Sequence, residues 1–278
     1  MKITKLIPQG YCKGVYNAIK VTLETRIKYP NEKIYILGLI IHNKLIKNEL
    51  EKLNIISLYS KEKNLKLIDT TCNYVSSTYE LIKNELNNNH EVIYIGIHNH
   101  PEATATISIN KDKVHLIQTI DEVKELNLKD ESPLITNQTT LSKYQIENIT
   151  KEIKKYYPNS RLSNEQCNAT RLRQDAIINI KENYDLIIIV GDKLSNNSKQ
   201  LYELAKKKTN AILIESILDL DINELLNKEN IAITSGASTP SSIVDQIYNF
   251  ILNFDKDNKK THIIPNIDYS NILKEFKK

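Results

Sequence analysis

Apolar residues along the 278-residue chain follow two alternating patterns. Short runs rich in isoleucine, leucine and valine are typical of strands, and the segments between them carry apolar residues at helical spacing. The first pattern predicts strands at residues 3–7, 34–37, 65–69, 91–97, 113–118, 133–136, 185–191, 211–215 and 230–235. The second predicts helices at residues 14–29, 43–53, 75–88, 142–157, 170–183, 195–208 and 240–254.

This alternation of strands and helices indicates an α/β protein with mainly parallel sheets. The chain has three cysteines: Cys12 and Cys72 each follow a predicted strand and precede a predicted helix, and Cys167 precedes the helix predicted at residues 170–183. Sites in parallel α/β proteins gather at the carboxyl ends of the strands. The wide spacing of the cysteines therefore predicts three small α/β units rather than one long sheet.

Composition and charge narrow the classes of function. The 38 basic and 34 acidic residues nearly balance, and the lysines are spread along the chain, so neither nucleic acid nor an anionic membrane is expected as a partner. No apolar run approaches the ~20 residues of a membrane-spanning helix, and the first segment is too short and polar for a secretory signal. We therefore expect a cytoplasmic protein, where cysteines more often serve a metal or catalysis than disulfides.

The cysteine segments read QGYCKGV, TTCNYV and EQCNAT. A single free cysteine is most often an ordinary small buried residue. Three thiols that each precede a predicted helix favour another interpretation, because a helix N-terminus lowers the pKa of a thiol and stabilises its anion. Three thiolates suit an iron–sulfur cluster or a zinc ion with one open position. The spacing of the cysteines does not choose between the two.

A second candidate segment, GIHNHPEAT at residues 96–104, follows a predicted strand. Pro101 is expected to end that strand and leave a loop. Such a loop is often only solvated surface. At the carboxyl end of an apolar strand, however, Glu102 is a candidate proton donor and His100 a candidate contact for an anion or a substrate. His42 follows another apolar run in the same way.

Hydroxyl and amide side chains cluster at three further strand ends, in TNQTTLS, GDKLSNNSKQ and TSGASTPSS. Ser195 and Ser238 are each placed to cap a following helix. The same geometry would offer N–H groups and neutral donors to a phosphate. Neither GxxxxGK[ST] nor GxGxxG occurs, so a nucleotide cofactor is not supported. Helix capping and the binding of a small diphosphate both remain open.

Taken in order, these segments resemble the motifs of the 4-hydroxy-3-methylbut-2-enyl diphosphate reductases, the LytB/IspH family of isoprenoid synthesis. The resemblance rests on GYCKGV, IHNK, DTTC, HPE, NQTTLS, CNATRLRQ, SNNS and SGAS, which run along nearly the whole chain. It implies a trefoil of three small α/β units around a central iron–sulfur site. We expect these units at residues 1–72, 73–166 and 167–256, followed by a C-terminal tail at residues 257–278.

The resemblance also implies a reaction. One 4Fe-4S cluster per chain would be held by Cys12, Cys72 and Cys167, and its fourth iron would bind the substrate hydroxyl. Two electrons from a ferredoxin or flavodoxin, together with two protons, would remove that hydroxyl as water. The products would be isopentenyl and dimethylallyl diphosphate, in the last step of the methylerythritol phosphate pathway.

The remaining site residues are implied in the same way. Glu102 would relay the proton, and Thr139 would help to orient the substrate oxygen. The substrate-binding side chains would be His42, His100, Thr139, Ser195, Asn196, Asn197 and Ser238.

The chain departs from the family pattern before its second cysteine. Family members usually carry an Ala-His-Gly motif there, whereas this chain passes from NIISLYS through KEKNLK to LIDTTC. The first unit is therefore expected to lack a strand, a helix and one histidine that contacts the diphosphate. Smaller departures are Asn73, Asn99 and Asn196, where proline, glycine and serine are common.

Two other functions stay open at this point. One is a diverged member of the family that binds a cluster as a redox sensor or acts on another substrate. The other is a zinc protein with a three-cysteine site, which would leave Glu102 and Thr139 without a role.

Overall fold

The computed structural model describes residues 1–37, 43–58, 67–68, 72–163 and 167–276. The protein divides into two compact units. Unit 1 comprises Met1–Thr71 and Leu172–Lys278, and unit 2 comprises Cys72–Arg171. The residue boundaries of the three units expected from the sequence stay a prediction.

The described part of the chain contains eleven strands and eight α-helices. The strands are β1 Lys2–Lys5, β2 Ile34–Leu37, β3 Ile55–Leu58, β4 Leu67–Ile68, β5 Val92–Ile95, β6 Val114–Ile117, β7 Leu134–Asn137, β8 Arg161–Leu162, β9 Leu186–Val190, β10 Ala211–Ile214 and β11 Asn230–Ser235. The helices are α1 Lys13–Lys28, α2 Lys44–Glu51, α3 Asn73–Asn87, α4 Pro101–Ile107, α5 Lys143–Tyr156, α6 Asn168–Ile178, α7 Asn196–Lys206 and α8 Ser241–Leu252. Short 3₁₀ helices lie at Asp121–Glu125, Ile217–Asp219, Ile222–Glu224, Lys259–His262, Tyr269–Asn271 and Lys274–Phe276.

The described residues of unit 1 form two sheets. One has the strand order β1-β11-β9-β10 and the other the order β3-β2-β4, and all of these pairs are parallel. All five residues of β9, the run LIIIV, are buried, as expected for a central strand of a parallel sheet that is covered on both faces. In the described residues the β3-β2-β4 sheet has three strands, and β4 pairs directly with β2. This smaller sheet lies in the part of the chain that lacks the Ala-His-Gly segment.

Unit 2 is built on one sheet with the order β6-β5-β7-β8, again parallel throughout. Its helix α5 begins with a capping box, in which the Ser142 hydroxyl accepts from the Gln145 N–H and the Gln145 side chain returns to the Ser142 backbone. Every strand pair in the described residues is parallel. The predicted fold class, α/β with mainly parallel sheets, is therefore confirmed.

Three local predictions were wrong. Residues 101–107 form helix α4 rather than a loop, because proline is favoured in the first turn of a helix, where its missing N–H costs nothing. Ser238 caps no helix, since α8 begins after Pro240. The helix predicted at residues 170–183 ends at Ile178. In addition, β3 and β8 are strands that the apolar pattern did not predict.

The C-terminal tail, whose position the sequence left open, packs on unit 1. Ile267, Ile272 and Leu273 are buried in its core. The Tyr11 hydroxyl donates to the Ile272 carbonyl at 3.3 Å, and the ring of Phe276 lies 4.8 Å from that of Tyr16. Among the described helices, none is long and apolar enough to cross a bilayer.

Candidate functional site

The side chain of Glu102 is partly buried in unit 2, and its carboxyl group makes three hydrogen bonds. It lies in the first turn of α4, where the His100 Nδ1 atom accepts from the Glu102 N–H at 3.2 Å and caps the helix. The Thr139 N–H donates to Glu102 Oε1 at 2.9 Å, and the Thr139 hydroxyl lies 3.0 Å from Oε2. The Tyr94 hydroxyl donates to Oε1 at 3.2 Å. The structure thus brings together His100, Glu102 and Thr139.

The surroundings of this carboxyl group favour its protonated form. Burial is the largest effect and raises the pKa of Glu102, while the hydrogen bonds from Thr139 and Tyr94 oppose the rise without cancelling it. Glu102 consequently holds its proton closer to neutral pH than an exposed glutamate does. A carboxyl group tuned in this direction is suited to general acid catalysis.

Two tyrosines face the same carboxyl group. Burial, and then the charge of Glu102, raise the pKa of both Tyr79 and Tyr94. Their phenols therefore stay protonated and act as neutral donors at neutral pH. The Thr106 hydroxyl contacts both phenols, and it donates to the Glu102 carbonyl at 2.8 Å.

A second group of predicted residues lies at the N-terminus of α7, in unit 1. Ser195 caps this helix, and its hydroxyl accepts from the Ser198 N–H at 3.4 Å. Both polar atoms of the Asn197 side chain are buried and have no hydrogen-bond partner among the described residues. Buried amide groups are nearly always paired. The Asn197 amide is thus an exception, and it lies at a helix N-terminus, where anions are favoured.

Two glycines shape this region. A Cβ atom at Gly191 or at Gly236 would collide with the Ser198 hydroxyl. Gly191 follows β9 and Gly236 follows β11, so the strand ends approach the first turn of α7 closely because they lack side chains there. Ser238 is buried, and it follows Gly236 by two residues in the sequence. Asn196, the first residue of α7, is partly exposed.

Cys12 is held from several directions in unit 1. It is the N-cap of α1, and its sulfur accepts from the Val15 N–H at 3.4 Å. Its own N–H donates to the Ala237 carbonyl at 2.9 Å. Two residues earlier, Gly10 has a φ of +73°, a conformation that favours glycine, and its carbonyl accepts from buried Arg173 at 2.7 Å. The Cys12 loop is thereby fixed to the main body of the unit.

The other two cysteines also begin helices. Cys72 is the N-cap of α3, and the Cys167 carbonyl accepts from the Arg171 N–H at 3.0 Å, which opens α6. None of the three cysteines forms a disulfide, and all three are partly exposed. Reduced thiols at helix N-termini, within reach of solvent, fit the chemistry of iron–sulfur ligands.

A single metal ion would need its ligands close together. In the described ranges, no three His, Cys, Asp or Glu side chains form a group that could hold one. In a 4Fe-4S cluster each cysteine would bind its own iron atom, so the three thiolates would surround the cluster rather than share one metal ion.

Three further residues bear on the site: His42, His98 and Tyr94. The predicted ligand His42 lies outside the described residues. His98 does not join the Glu102 group, since its Nε2 atom pairs with Glu122 at 3.1 Å. The sequence did not indicate Tyr94. The signal that could have found it is a tyrosine inside an apolar strand, because a buried phenol needs a hydrogen-bond partner.

Comparisons with known proteins agree with the resemblance seen in the sequence. A family model described as LytB protein matches residues 3–61 and 57–252. The 4-hydroxy-3-methylbut-2-enyl diphosphate reductase of Malacoplasma penetrans is 36% identical over 291 aligned residues, covering 90% of this chain and 97% of that protein. The enzyme of the same name from Geobacillus thermodenitrificans is 34% identical, covering 94% of this chain and 93% of that protein.

Solved structures give the same result. The E-1-hydroxy-2-methyl-but-2-enyl-4-diphosphate reductase of Plasmodium falciparum aligns with a TM-score of 0.86 at 26% identity and covers 99% of both chains. A structure of (E)-4-hydroxy-3-methyl-but-2-enyl diphosphate reductase, described as the terminal enzyme of the non-mevalonate pathway, aligns with a TM-score of 0.64 at 28% identity. It covers 91% of this chain and 99% of that chain.

Proposed function

The chain belongs to the LytB family, and on that premise we propose that it removes the hydroxyl group of 4-hydroxy-3-methylbut-2-enyl diphosphate by reduction. The substrate is a small allylic diphosphate, and the products are isopentenyl and dimethylallyl diphosphate. The reaction consumes two electrons and two protons, breaks the C–O bond and releases water. The observation that carries the proposal is the partly buried acid Glu102, paired with Thr139, in a chain that matches reductases over nearly its whole length.

The ligands of the redox cofactor are proposed to be Cys12, Cys72 and Cys167. Each is a partly exposed thiol outside any disulfide and at the start of a helix, where the positive end of the helix dipole favours the thiolate. When bound, a 4Fe-4S cluster supplies the electrons of the reduction and an open coordination position for the substrate oxygen. A ferredoxin or flavodoxin is the proposed electron donor.

Glu102 is proposed to give a proton to the departing oxygen. Hydroxide is a poor leaving group, so the C–O bond breaks more easily when a positioned acid protonates the oxygen. The raised pKa of Glu102, caused by burial, keeps the proton available near neutral pH. Thr139 contacts the carboxyl group through both its N–H and its hydroxyl, and that hydroxyl is proposed to orient the substrate oxygen.

The N-terminus of α7 is proposed to hold the diphosphate. The helix begins with Ser195 as its N-cap, followed by Asn196 and Asn197. The side-chain amide of buried Asn197 has no hydrogen-bond partner among the described residues, so it can donate to a phosphate without first breaking a hydrogen bond within the protein. Donors to a charged phosphate form shorter and stronger hydrogen bonds than donors to neutral acceptors. Ser238, His100 and His42 are proposed as further contacts of the substrate.

Anaerobic reconstitution followed by a turnover assay tests the proposed function. The purified chain is loaded with iron and sulfide, its metal content is counted, and product formation is measured with the allylic diphosphate and a chemical electron donor. We expect a brown protein that forms both products. A brown protein without turnover would contradict the reductase and favour a redox sensor, and a colourless zinc protein would contradict both.

A pair of matched variants tests the role of the acid. Glu102→Gln is expected to keep the iron and sulfide content but to lose nearly all product formation, because an amide N–H is far too weak an acid to protonate the departing oxygen. Glu122→Gln removes a carboxylate of the same unit that contacts His98 instead, and it should retain turnover. If Glu102→Gln kept full activity, Glu102 would not be the acid.

A further inference from the structure

We propose that Tyr94 positions the proton donor of this reaction, by fixing the Oε1 atom of Glu102 so that the transferable proton resides on Oε2. The proposal rests on the proposed function, since it concerns the acid of that same reaction. Its structural basis is one contact, in which the Tyr94 hydroxyl donates to Glu102 Oε1 at 3.2 Å.

The two oxygens of the carboxyl group have different partners. Oε1 faces two donors, the Thr139 N–H at 2.9 Å and the Tyr94 hydroxyl at 3.2 Å. Oε2 faces the Thr139 hydroxyl at 3.0 Å, which can accept as well as donate. A protonated carboxyl group has one O–H, and a proton on Oε1 would confront the Thr139 N–H, which can only donate, and would force the Tyr94 hydroxyl to give up its donation to that oxygen. The arrangement therefore favours the proton on Oε2, with Oε1 as the acceptor.

The same contact also helps the proton to leave. Once Oε2 has given up its proton, the negative charge is shared by both oxygens, and the bonds from Tyr94 and Thr139 to Oε1 become charge-assisted. Those bonds stabilise the carboxylate more than the acid. Tyr94 thus both orients the carboxyl group and eases proton release, although it touches no reacting atom of the substrate in this role.

The phenol is rigidly placed for this task. Tyr94 lies in β5 with none of its surface exposed, packed among Ile82, Ala103 and Leu134. A Cβ atom at Gly96 would lie only 2.8 Å from the Tyr94 ring, so the glycine leaves the space that the ring fills. Because the ring cannot turn away, its hydroxyl stays directed at Glu102.

A purely structural role makes a different prediction. Deleting the Tyr94 hydroxyl would then weaken the fold, and the titration of Glu102 would not change. The titratable groups that face Glu102 are Tyr79 on α3, Tyr94 on β5 and the His100 cap of α4. Neither Tyr79 nor His100 is replaced in Tyr94→Phe, and neither donates a hydrogen bond to the Glu102 carboxyl oxygens, so a change in the titration of Glu102 reports the Tyr94 contact.

The test compares Tyr94→Phe with a matched control, Tyr157→Phe. Tyr157 belongs to the same unit, but its hydroxyl donates to the Leu126 carbonyl at 3.0 Å and accepts from the Leu128 N–H at 3.1 Å. Two quantities are measured in the reconstituted enzyme. One is the pH profile of kcat, and the other is the infrared band of the protonated Glu102 carboxyl group, identified by its loss in Glu102→Gln.

In Tyr94→Phe the proton affinity of Glu102 should rise about tenfold, the equivalent of one hydrogen bond to a charged group. The alkaline limb of the kcat profile and the midpoint of the infrared titration then both move to higher pH. On the plateau, kcat should fall about tenfold while KM changes little, and Tyr157→Phe should leave all of these values in place. An unchanged titration in Tyr94→Phe, or the same displacement in Tyr157→Phe, would overturn the proposal.

Two further experiments cover the cases in which Tyr94→Phe does not fold or the chain is not a reductase. If Tyr94→Phe does not fold, Tyr94→3-fluorotyrosine replaces it, because this residue keeps the ring and has a more acidic phenol. The stronger donor should lower the proton affinity of Glu102. An unchanged proton affinity would overturn the proposal. The infrared titration needs no turnover. If the chain failed as a reductase, a titration that still moved with Tyr94 would sustain the contact and refute only the proposed reaction.

Discussion

The first turn of α7 packs so closely on Gly236 that a single added methyl group should reveal the fit. An alanine Cβ there would lie 2.5 Å from the Ser198 hydroxyl oxygen, well inside van der Waals contact. Its next neighbours, the Thr239 hydroxyl and the Asn197 amide nitrogen, would be at 3.5 and 3.6 Å, which is ordinary contact. The collision in Gly236→Ala therefore involves one atom.

This geometry sets the size of the effect. Gly236→Ala should lower the free energy of unfolding by about 1–3 kcal/mol, the usual cost of overpacking a core. Ser198→Ala alone should change it by less than about 1 kcal/mol, because the buried hydroxyl has no hydrogen-bond partner among the described residues. In the double variant the colliding oxygen is gone, so most of the lost stability should return, a coupling of about 1–2 kcal/mol.

Urea unfolding of the four proteins, analysed by linear extrapolation, measures these values. Gly191→Ala supplies the control, since its added Cβ would meet not only the Ser198 oxygen but also Ser198 Cβ, at 3.1 Å. Ser198→Ala should therefore rescue Gly191→Ala only in part. If Ser198→Ala failed to rescue Gly236→Ala, or rescued both glycine variants equally, the described packing would be wrong.

Two other predictions concern binding and acid stability. Asn197→Ala should raise KM for the allylic diphosphate about ten- to a hundredfold, with a smaller change in kcat, because it removes a donor to a charged group. Steady-state kinetics measure both values, and an unchanged KM would exclude Asn197 as a phosphate ligand. Burial raises the pKa of Asp130, but N–H bonds from Ser132 and Glu91 bring it below its ordinary value of 3.8. The folded pKa lies below the unfolded one, so this stabilisation is present above the unfolded value and is lost as the pH falls through the folded value. Urea unfolding of Asp130→Asn from neutral pH downward should show a shallower acid loss than wild type, and identical slopes would contradict the assignment.

The sequence predicted every described strand except β3 and β8, and both of these lie at the edges of their sheets. Central strands such as β9 are buried on both faces, so every position is apolar and the run is visible. The edge strand β8 has two exposed residues and forms only because β7 offers it a partner. Pairing of this kind depends on a neighbour that is distant in sequence, and no local pattern records it.

Helix α4 shows a different limit. Pro101 ends a strand and also begins a helix, and the local sequence is compatible with both. The choice is made by His100, whose ring caps the first turn by accepting the Glu102 N–H. Helix formation turns Glu102 toward Thr139, whereas a loop would have left the direction of its side chain undefined. The sequence around Glu102 indicates an acid, but it does not predict which way the side chain points.

The position of the acid depends finally on the register of two strands. In the pairing of β5 with β7, Ile95 lies opposite Asn137, so the segments that follow the two strands leave the sheet side by side. Gln138 joins them, donating its N–H to the Ile95 carbonyl at 2.8 Å and accepting the Ile97 N–H at 3.0 Å. A slip of one residue would turn every side chain of β5 to the other face, and Tyr94 would lose Glu102. The sequence names the acid and its hydroxyl partner, but the parallel register of β5 and β7 brings them into contact.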